Sequence, residues 1–520
     1  MNSGLPTSVS PRVFGVSFST SRTQNAALSI VTGFLFTAVS VSTSLLATPW
    51  LLRWLGAECF GAYKLLTDGM GYIALLDLGL SGALMAYLAQ TVAQNDGAGI
   101  RRLITAGAHA YVKAMPLMIA GGVSLALALP HFVITKTLTS NEIRIAGLIS
   151  LLPVLLTPLL VFRSLAEARQ HSYVIGLVII LQSVLTTGLL LAAAWAGWGL
   201  VGQSLAGAVG QLPATLILLW DGIQVCRGSF SVSSDQTVKQ ALWSLSRPTF
   251  VHTLTDRIGL LSDNLIIAWF LGPIAVVVFH LTQQLSVLAQ FLLRGLGNAT
   301  WAGLVELDAQ GQRQVFCRRL LELTGTLSAL ALAGLAPIAA YNHHFVARWV
   351  GASSYAGDGL TIIACINVWF WSIYSLWGWP LLGTGNIGRW APYAIVFAIV
   401  NVTVSILGTL AFSVVGPLLG TLIGFLVINS WALPKVLHEV FGLSPSVLWR
   451  TALAPLPWAL LYAGILWLLA RTHVPWGWLG LALEMGFSVL GGLFLWWTLT
   501  LDESARTQWR YRLRTLGTSY

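Results

Sequence analysis

The chain has 520 residues, 56% of them hydrophobic and only 9% charged, with a mean hydropathy of +0.77. A water-soluble domain carries about 25% charge, so the composition excludes that class and points to a membrane protein. The net charge of +10 comes from bases in the short connections between apolar runs; that pattern is an orientation signal and excludes a nucleic-acid partner.

Residues 1–25 form a polar, Ser/Thr-rich tail with Arg12 and Arg22. The apolar run from Ala26 is too long for a signal-peptide core and no small-x-small cleavage site follows it, so it is expected to be an uncleaved first span. A span needs about 20 mostly apolar residues. That rule predicts about fourteen transmembrane helices: 26–50, 61–88, 113–134, 143–162, 173–195, 199–220, 248–271, 274–297, 319–341, 357–383, 391–412, 415–434, 448–470 and 477–500. The second of them lies in the stretch 53–90, a short aqueous corner followed by a long apolar helix. Asp68 and Asp77 sit inside that helix, with Gly69, Gly71, Gly79 and Gly82 around them. An ionised group inside a bilayer costs at least ~2.5 kcal/mol and usually faces a cavity or a partner. Glycines let helices approach closely and bend.

With the amino terminus inside, twenty-one Lys and Arg residues fall on the inner side and six (Arg53, Lys64, Lys136, Arg144, Arg348 and Arg471) on the outer; Arg257 lies within a span. Bases are retained on the cytoplasmic side, so an even span count with both termini cytoplasmic is expected. The chain also repeats weakly at an offset of 216 residues. Leu55-Gly56 meets Leu271-Gly272, Tyr63-Lys64 meets Phe279-His280, and Leu76, Gly79, Leu80 and Ala83 meet Leu292, Gly295, Leu296 and Ala299. Six spans separate the paired positions, so the repeats are parallel. The expected organisation is a tail (1–25), an N-lobe of six helices (26–222), a linker (223–244), a C-lobe of six helices (245–440), two C-terminal helices (441–500) and a basic tail (501–520). The fold class is all-α integral membrane protein, two six-helix lobes plus two helices.

Leu-Gly, then Gly-x-Tyr, then the Leu-Leu-Asp-Leu-Gly-Leu of 75–80 resemble the second-helix region of bacterial polysaccharide-transport proteins. These are the O-antigen-flippase-type branch of the multidrug/oligosaccharidyl-lipid/polysaccharide exporter superfamily. Residues 245–280 resemble their seventh-helix region, 304–320 their basic loop before the ninth helix, and the Arg-Trp-Val-Gly of 348–351 the close of that helix. The resemblance implies two lobes around a cavity that opens alternately to either side of the bacterial inner membrane. It also implies passage of a polyprenyl-diphosphate-linked oligosaccharide for cell-surface polysaccharide such as the O-antigen of lipopolysaccharide. A polysaccharide polymerase and glycosyltransferases are the further partners it suggests.

No catalytic signature is present: H-E-x-x-H, G-x-S-x-G and G-x-x-x-x-G-K-[ST] are all missing from the chain. The four cysteines form no C-x-x-C, so no disulfide, metal or cofactor is expected. Candidate function therefore rests on charges inside spans. Asp256 and Asp263, seven apart, share one face of the seventh span, with Arg257 about 100° away. Arginine holds phosphate bidentately, which makes Arg257 a substrate-binding cation and Asp263 a proton- or ion-linked carboxylate. The alternative for Arg257 is an ion pair that fixes packing. Lys64, His280 and Arg294 are further substrate-binding candidates, and Asp68, Asp77 and Asp256 complete the ion-coupling or gating set. Lys64 precedes Asp68 by four residues and can simply neutralise it. Asp68 and Asp77, nine apart, face opposite ways unless Gly69 or Gly71 bends the helix. Asp77 either pairs with Arg257 across the lobes or bonds locally at the interface. His280 titrates near neutral pH, yet a histidine in a span is more often a packing residue. Trp369, Phe370, Trp371, Tyr374, Trp377 and Trp379 crowd the tenth span; packing and interfacial belting are favoured over sugar stacking. Glu484 sits in the last span, and Arg506, Arg510, Arg512 and Arg514 are expected to meet anionic headgroups. The competing function is a cation-coupled multidrug antiporter of the same superfamily; a non-transporting scaffold for glycan assembly is disfavoured by the charges within spans.

Overall fold

A computed structural model of the chain describes residues 12–13, 16–17, 22–77, 79–94, 96–132, 135–169, 172–226, 250, 254, 262–501, 503, 505–507 and 509–510. The chain is an all-α integral membrane protein. Among the described residues the strands are two-residue pieces, Arg12–Val13 paired antiparallel with Val16–Ser17. Among the described residues ten helical stretches are long and apolar enough to cross a membrane, and one of them, Ala391–Phe441, carries two expected spans. The first two spans occupy α1 (Arg22–Ala74) and α2 (Leu80–Ala93), and the seventh is represented by α9 (Ser262–Leu271). Most of the linker and the N-terminal part of the seventh span lie outside the described residues.

The internal repeat has a backbone counterpart. Gly56 breaks α1 with φ 77 and ψ 161, and Gly272, between α9 and α10 (Pro273–Ala309), has φ 84 and ψ 173. That region of φ/ψ space is essentially open to glycine alone. Two glycines 216 residues apart, each following a leucine, thus take the same conformation.

The second span departs from expectation. The helix runs straight through Gly69 and Gly71 to Ala74, and the break comes later, in a 3-10 turn at Leu75–Asp77 followed by left-handed Gly79 (φ 77, ψ 14). The bend therefore falls within the Leu-Leu-Asp-Leu-Gly-Leu segment, at Leu75–Asp77 and Gly79. Gly69 serves a close approach instead: a Cβ there would lie 2.8 Å from Leu125 Cδ2 of α3 (Gly97–Phe132). The fourth span is also interrupted. Between α4 (Ser140–Ile149) and α5 (Leu160–Ala168) the chain winds as a 3-10 helix, Leu152–Leu159, where Pro153 and Pro158 remove amide donors.

The structure divides into two compact units. The first takes its described residues from Met1–Cys59, Gly69–His131 and Thr137–Phe250. Its core interlocks Leu84 and Leu88 of α2, Ile104 and Tyr111 of α3, and Val161 and Leu165 of α5. Around it lie α6 (Ser172–Trp195), α7 (Gly199–Gly210) and α8 (Leu212–Cys226), with α4 and α6 both packed on α7. The Glu58 carboxylate accepts bonds from the Thr137 backbone N–H (3.2 Å) and hydroxyl (2.8 Å), pinning the connection before α4.

The second unit takes Phe60–Asp68, Phe132–Lys136 and Val251–Tyr520. Its central helix is α11 (Arg313–Trp349), which packs on α10, α12 (Asp358–Gly383), α16 (Pro445–Leu453), α17 (Leu456–Thr472) and α18 (Gly477–Leu495). Polar side chains stitch these helices, as expected where the surroundings offer no water to bond. Asn342 Nδ2 donates to Thr282 O (2.8 Å) and Thr361 Oγ1 (2.9 Å), tying α11 to α10 and α12. The tryptophans of the tenth span are largely packing residues. Trp377 is fully buried and donates to Thr324 Oγ1 at 3.0 Å; Trp369 donates to Ser328 Oγ, which in turn donates to Ala452 O.

The two C-terminal spans are fastened to the same helices. His344 Nε2 donates to Ala470 O, and the Arg348 guanidinium to Pro475 O. Asp358 receives Tyr355 OH (2.6 Å) and Trp467 Nε1 (3.2 Å) and forms an ion pair with Arg471. Glu484 meets His473 Nε2 at 3.1 Å. Asp358→Ala strips three donors of their acceptor. Discounted for partial exposure, the expected loss is about 2 kcal/mol, read as a lower thermal midpoint in detergent. An unchanged midpoint would show that α17 is held by apolar packing alone.

Candidate functional site

The first turns of the second span build one charged cluster in the second unit. Gly61 allows them to seat on the start of α10: a Cβ at Gly61 would lie 2.2 Å from Pro273 O, which only glycine tolerates. One turn of helix then places Lys64 and Asp68 one above the other. Lys64 Nζ lies 3.3 Å from Asp68 Oδ1, and Asn264 Nδ2 of α9 donates to Asp68 Oδ2 at 2.6 Å. Asp68 is 7% exposed, and both its oxygens are engaged.

Asp263, beside Asn264, is also buried, at 8% exposure. Its Oδ1 has no hydrogen-bond partner among the described residues, nor has Asn264 Oδ1 or Ser262 Oγ. Three successive residues at the head of α9 thus hold uncommitted acceptors, the environment a cation or a proton would complete. His280 is half-buried on α10, within electrostatic reach of Lys64.

Arg294 stands apart. It follows His280 by fourteen residues on one continuous helix, a separation of about 21 Å. Its guanidinium lies over the Trp379 ring at 5.9 Å from the centroid, and Trp301 packs against the same ring at 6.0 Å. No carboxylate among the described residues lies within 4 Å of Arg294. Asp256 and Arg257 lie outside the described residues, as do Arg512 and Arg514, and of Asp77 the structure describes only its place in the 3-10 turn. Among the described residues no group of three or more His, Cys, Asp or Glu could hold a metal ion. Sequence reasoning missed Asn264. Its signal was a polar amide next to Asp263 in an apolar run, but its partner is 196 residues away.

A family model described as polysaccharide biosynthesis protein matches residues 30–301, just over half of the chain. The chain belongs to this polysaccharide biosynthesis protein family. Solved structures with the same fold are distant in sequence. A lipid II flippase, MurJ, in an inward closed conformation aligns with a TM-score of 0.67 at 11% identity, covering 89% of this chain and 99% of its own. A eukaryotic MATE transporter aligns with a TM-score of 0.59 at 12% identity over 83% and 98%. An outward-facing multidrug resistance MATE family transporter of the MOP superfamily gives 0.53 at 14% over 86% and 99%. A search of curated protein sequences returned no significant match.

This polysaccharide biosynthesis protein thus shares its fold with MurJ and MATE transporters. The segment matched by the family model contains all eight candidate residues, from Lys64 to Arg294, and excludes the helices from α11 onward. Of the charges singled out inside spans, Glu484 alone lies outside the part of the chain that carries the family signature.

Proposed function

We propose that the protein flips a polyprenyl-diphosphate-linked oligosaccharide across the bacterial inner membrane by alternating access, with both termini cytoplasmic. The family match carries this reading; the MurJ-like fold, which in that protein serves a lipid II flippase, agrees with it. The moving bodies are the repeat-related halves 26–222 and 245–440. The lipid tail stays in the bilayer while the diphosphate head, with several negative charges, passes through a cavity supplied with arginine. Arg257 and Arg294 are the cations for that head. The uncommitted carboxylate oxygen of Asp263 is the ion- or proton-linked group, and a polymerase and glycosyltransferases hand the substrate on.

The test uses proteoliposomes carrying a fluorescent polyprenyl-diphosphate-linked sugar. Arg257→Ala is expected to cut flipping at least tenfold with the protein inserted and abundant, and Arg257→Lys to restore part of it, since the charge is kept and the bidentate fork lost. Normal flipping by Arg257→Ala would remove Arg257 from the substrate path. A wild-type protein that moves organic cations against an ion gradient and leaves the lipid-linked sugar untouched would replace this reading with drug antiport.

A further inference from the structure

The Arg294–Trp379–Trp301 group contains an ionised side chain at the end of an apolar stretch, Pro273–Gly295, with no carboxylate of the described residues within 4 Å of it. A charge in such a place is usually paired or faces a cavity, and among the described residues its neighbour is an aromatic ring and not a carboxylate. The choice of partner has a geometric consequence. A carboxylate would occupy the guanidinium's N–H edge, where all five donors lie. A ring neighbour stabilises the cation without accepting its N–H groups, and among the described residues no Arg294 N–H is hydrogen-bonded, so those donors remain open. The free edge matches the two oxygens of a phosphate.

The ring itself is held in place. Trp301, seven residues after Arg294 on the same face of α10, packs on Trp379. Close approach of α12 to α10 fixes the distance: a Cβ at Gly383 would lie 2.3 Å from Val305 Cγ2 and 2.8 Å from Trp301 Cζ3. Trp379 Nε1 is shielded from solvent and has no acceptor among the described residues, so its two ring partners set where the indole sits.

We infer that Trp379 is a positioning residue that presents the Arg294 guanidinium edge-on to a phosphate of the lipid-linked substrate. The inference rests on the flippase reading above. It assigns to one tryptophan of the aromatic tenth span a role its neighbours Trp369 and Trp377, hydrogen-bonded within the core, do not have.

The experiment measures binding of farnesyl diphosphate and of farnesol to the full-length protein in nanodiscs, with thermal midpoints recorded for every variant. Arg294→Gln should weaken farnesyl diphosphate about thirtyfold and leave farnesol unchanged. Trp379→Leu should weaken it about tenfold and Trp379→Phe about threefold, in the order of cation–π strength. In an Arg294→Gln background, Trp379→Leu should have no further effect, because it acts through the guanidinium. That loss of effect is a signature a purely structural tryptophan does not give. Equal weakening by Trp379→Leu with and without Arg294, or wild-type affinity in Trp379→Leu, overturns the positioning role and leaves the flippase reading standing. If Trp379→Leu does not fold, Trp379→Phe and its Arg294→Gln double variant carry the same comparison. A wild-type protein that binds farnesyl diphosphate no better than farnesol overturns both.

Discussion

Gly420→Ala should lower the thermal midpoint of the detergent-solubilised protein sharply, with a loss of about 3 kcal/mol, although it adds one methyl group. Gly420 lies on α14 (Gly416–Gly424), which packs along α13 (Ala391–Phe412). A Cβ at Gly420 would stand 2.1 Å from Ser405 Oγ, 2.6 Å from Ser405 N and 2.7 Å from Asn401 O. Two of those atoms are backbone and cannot rotate away, so the helices must separate. Separation also breaks the bonds between them, Asn401 Nδ2 to Thr421 Oγ1 at 2.9 Å and Ser405 Oγ to Pro417 O at 3.2 Å. Small residues at such seams are how membrane helices gain contact without a hydrophobic driving force. Gly464→Ala on α17 is the control, since a Cβ there meets nothing within 4 Å. It should be neutral or stabilising by up to about 1 kcal/mol, the intrinsic helix preference of alanine over glycine. Equal midpoints for the two variants would mean that α13 and α14 are not in backbone contact.

The contrast between these two glycines shows what local sequence conveys and what it does not. Both are glycines in apolar helices, and nothing in the neighbouring residues separates the one at a seam from the one facing open space. Hydropathy windows located the spans because bilayer thickness dictates composition. The Leu-Gly repeat at 55–56 and 271–272 was legible because a glycine-only conformation demands the same residue twice. The interruptions were not. A window over 61–88 or 143–162 registers apolar content and is blind to the amide bonds lost at Leu75–Gly79 or at Pro153 and Pro158. In the candidate site, Lys64 and Asp68 could be paired from the four-residue spacing alone, whereas Asn264 could not, because contacts 196 residues apart leave no period to read. The tenth span showed the same limit: its tryptophans look alike in sequence, and only their partners divide Trp377, bonded to Thr324, from Trp379, whose ring lies near the Arg294 guanidinium.

Asp68→Asn should destabilise the protein by about 2 kcal/mol, and Lys64→Met in the same chain should recover most of it. In the single variant the amide still accepts the Asn264 Nδ2 bond, so what is lost is the charge opposite the Lys64 ammonium. An ammonium without its partner next to the buried head of α9 is costly, although about 30% of its side chain surface remains exposed and tempers the penalty. Removing the ammonium as well leaves a neutral, hydrogen-bonded pair. The cycle should therefore show a coupling of at least about 1 kcal/mol between the two sites, measured as thermal midpoints in detergent. Flipping of lipid-linked sugar by the double variant then assigns the roles. Lys64 is already committed to Asp68, so near-normal flipping is expected, with the diphosphate held by Arg257 and Arg294. A stable double variant that does not flip would return Lys64 to the substrate path and make Asp68 the group that holds it ready. Additive losses with no coupling would show that the ammonium and the carboxylate, despite 3.3 Å between them, stabilise the head of the second span independently.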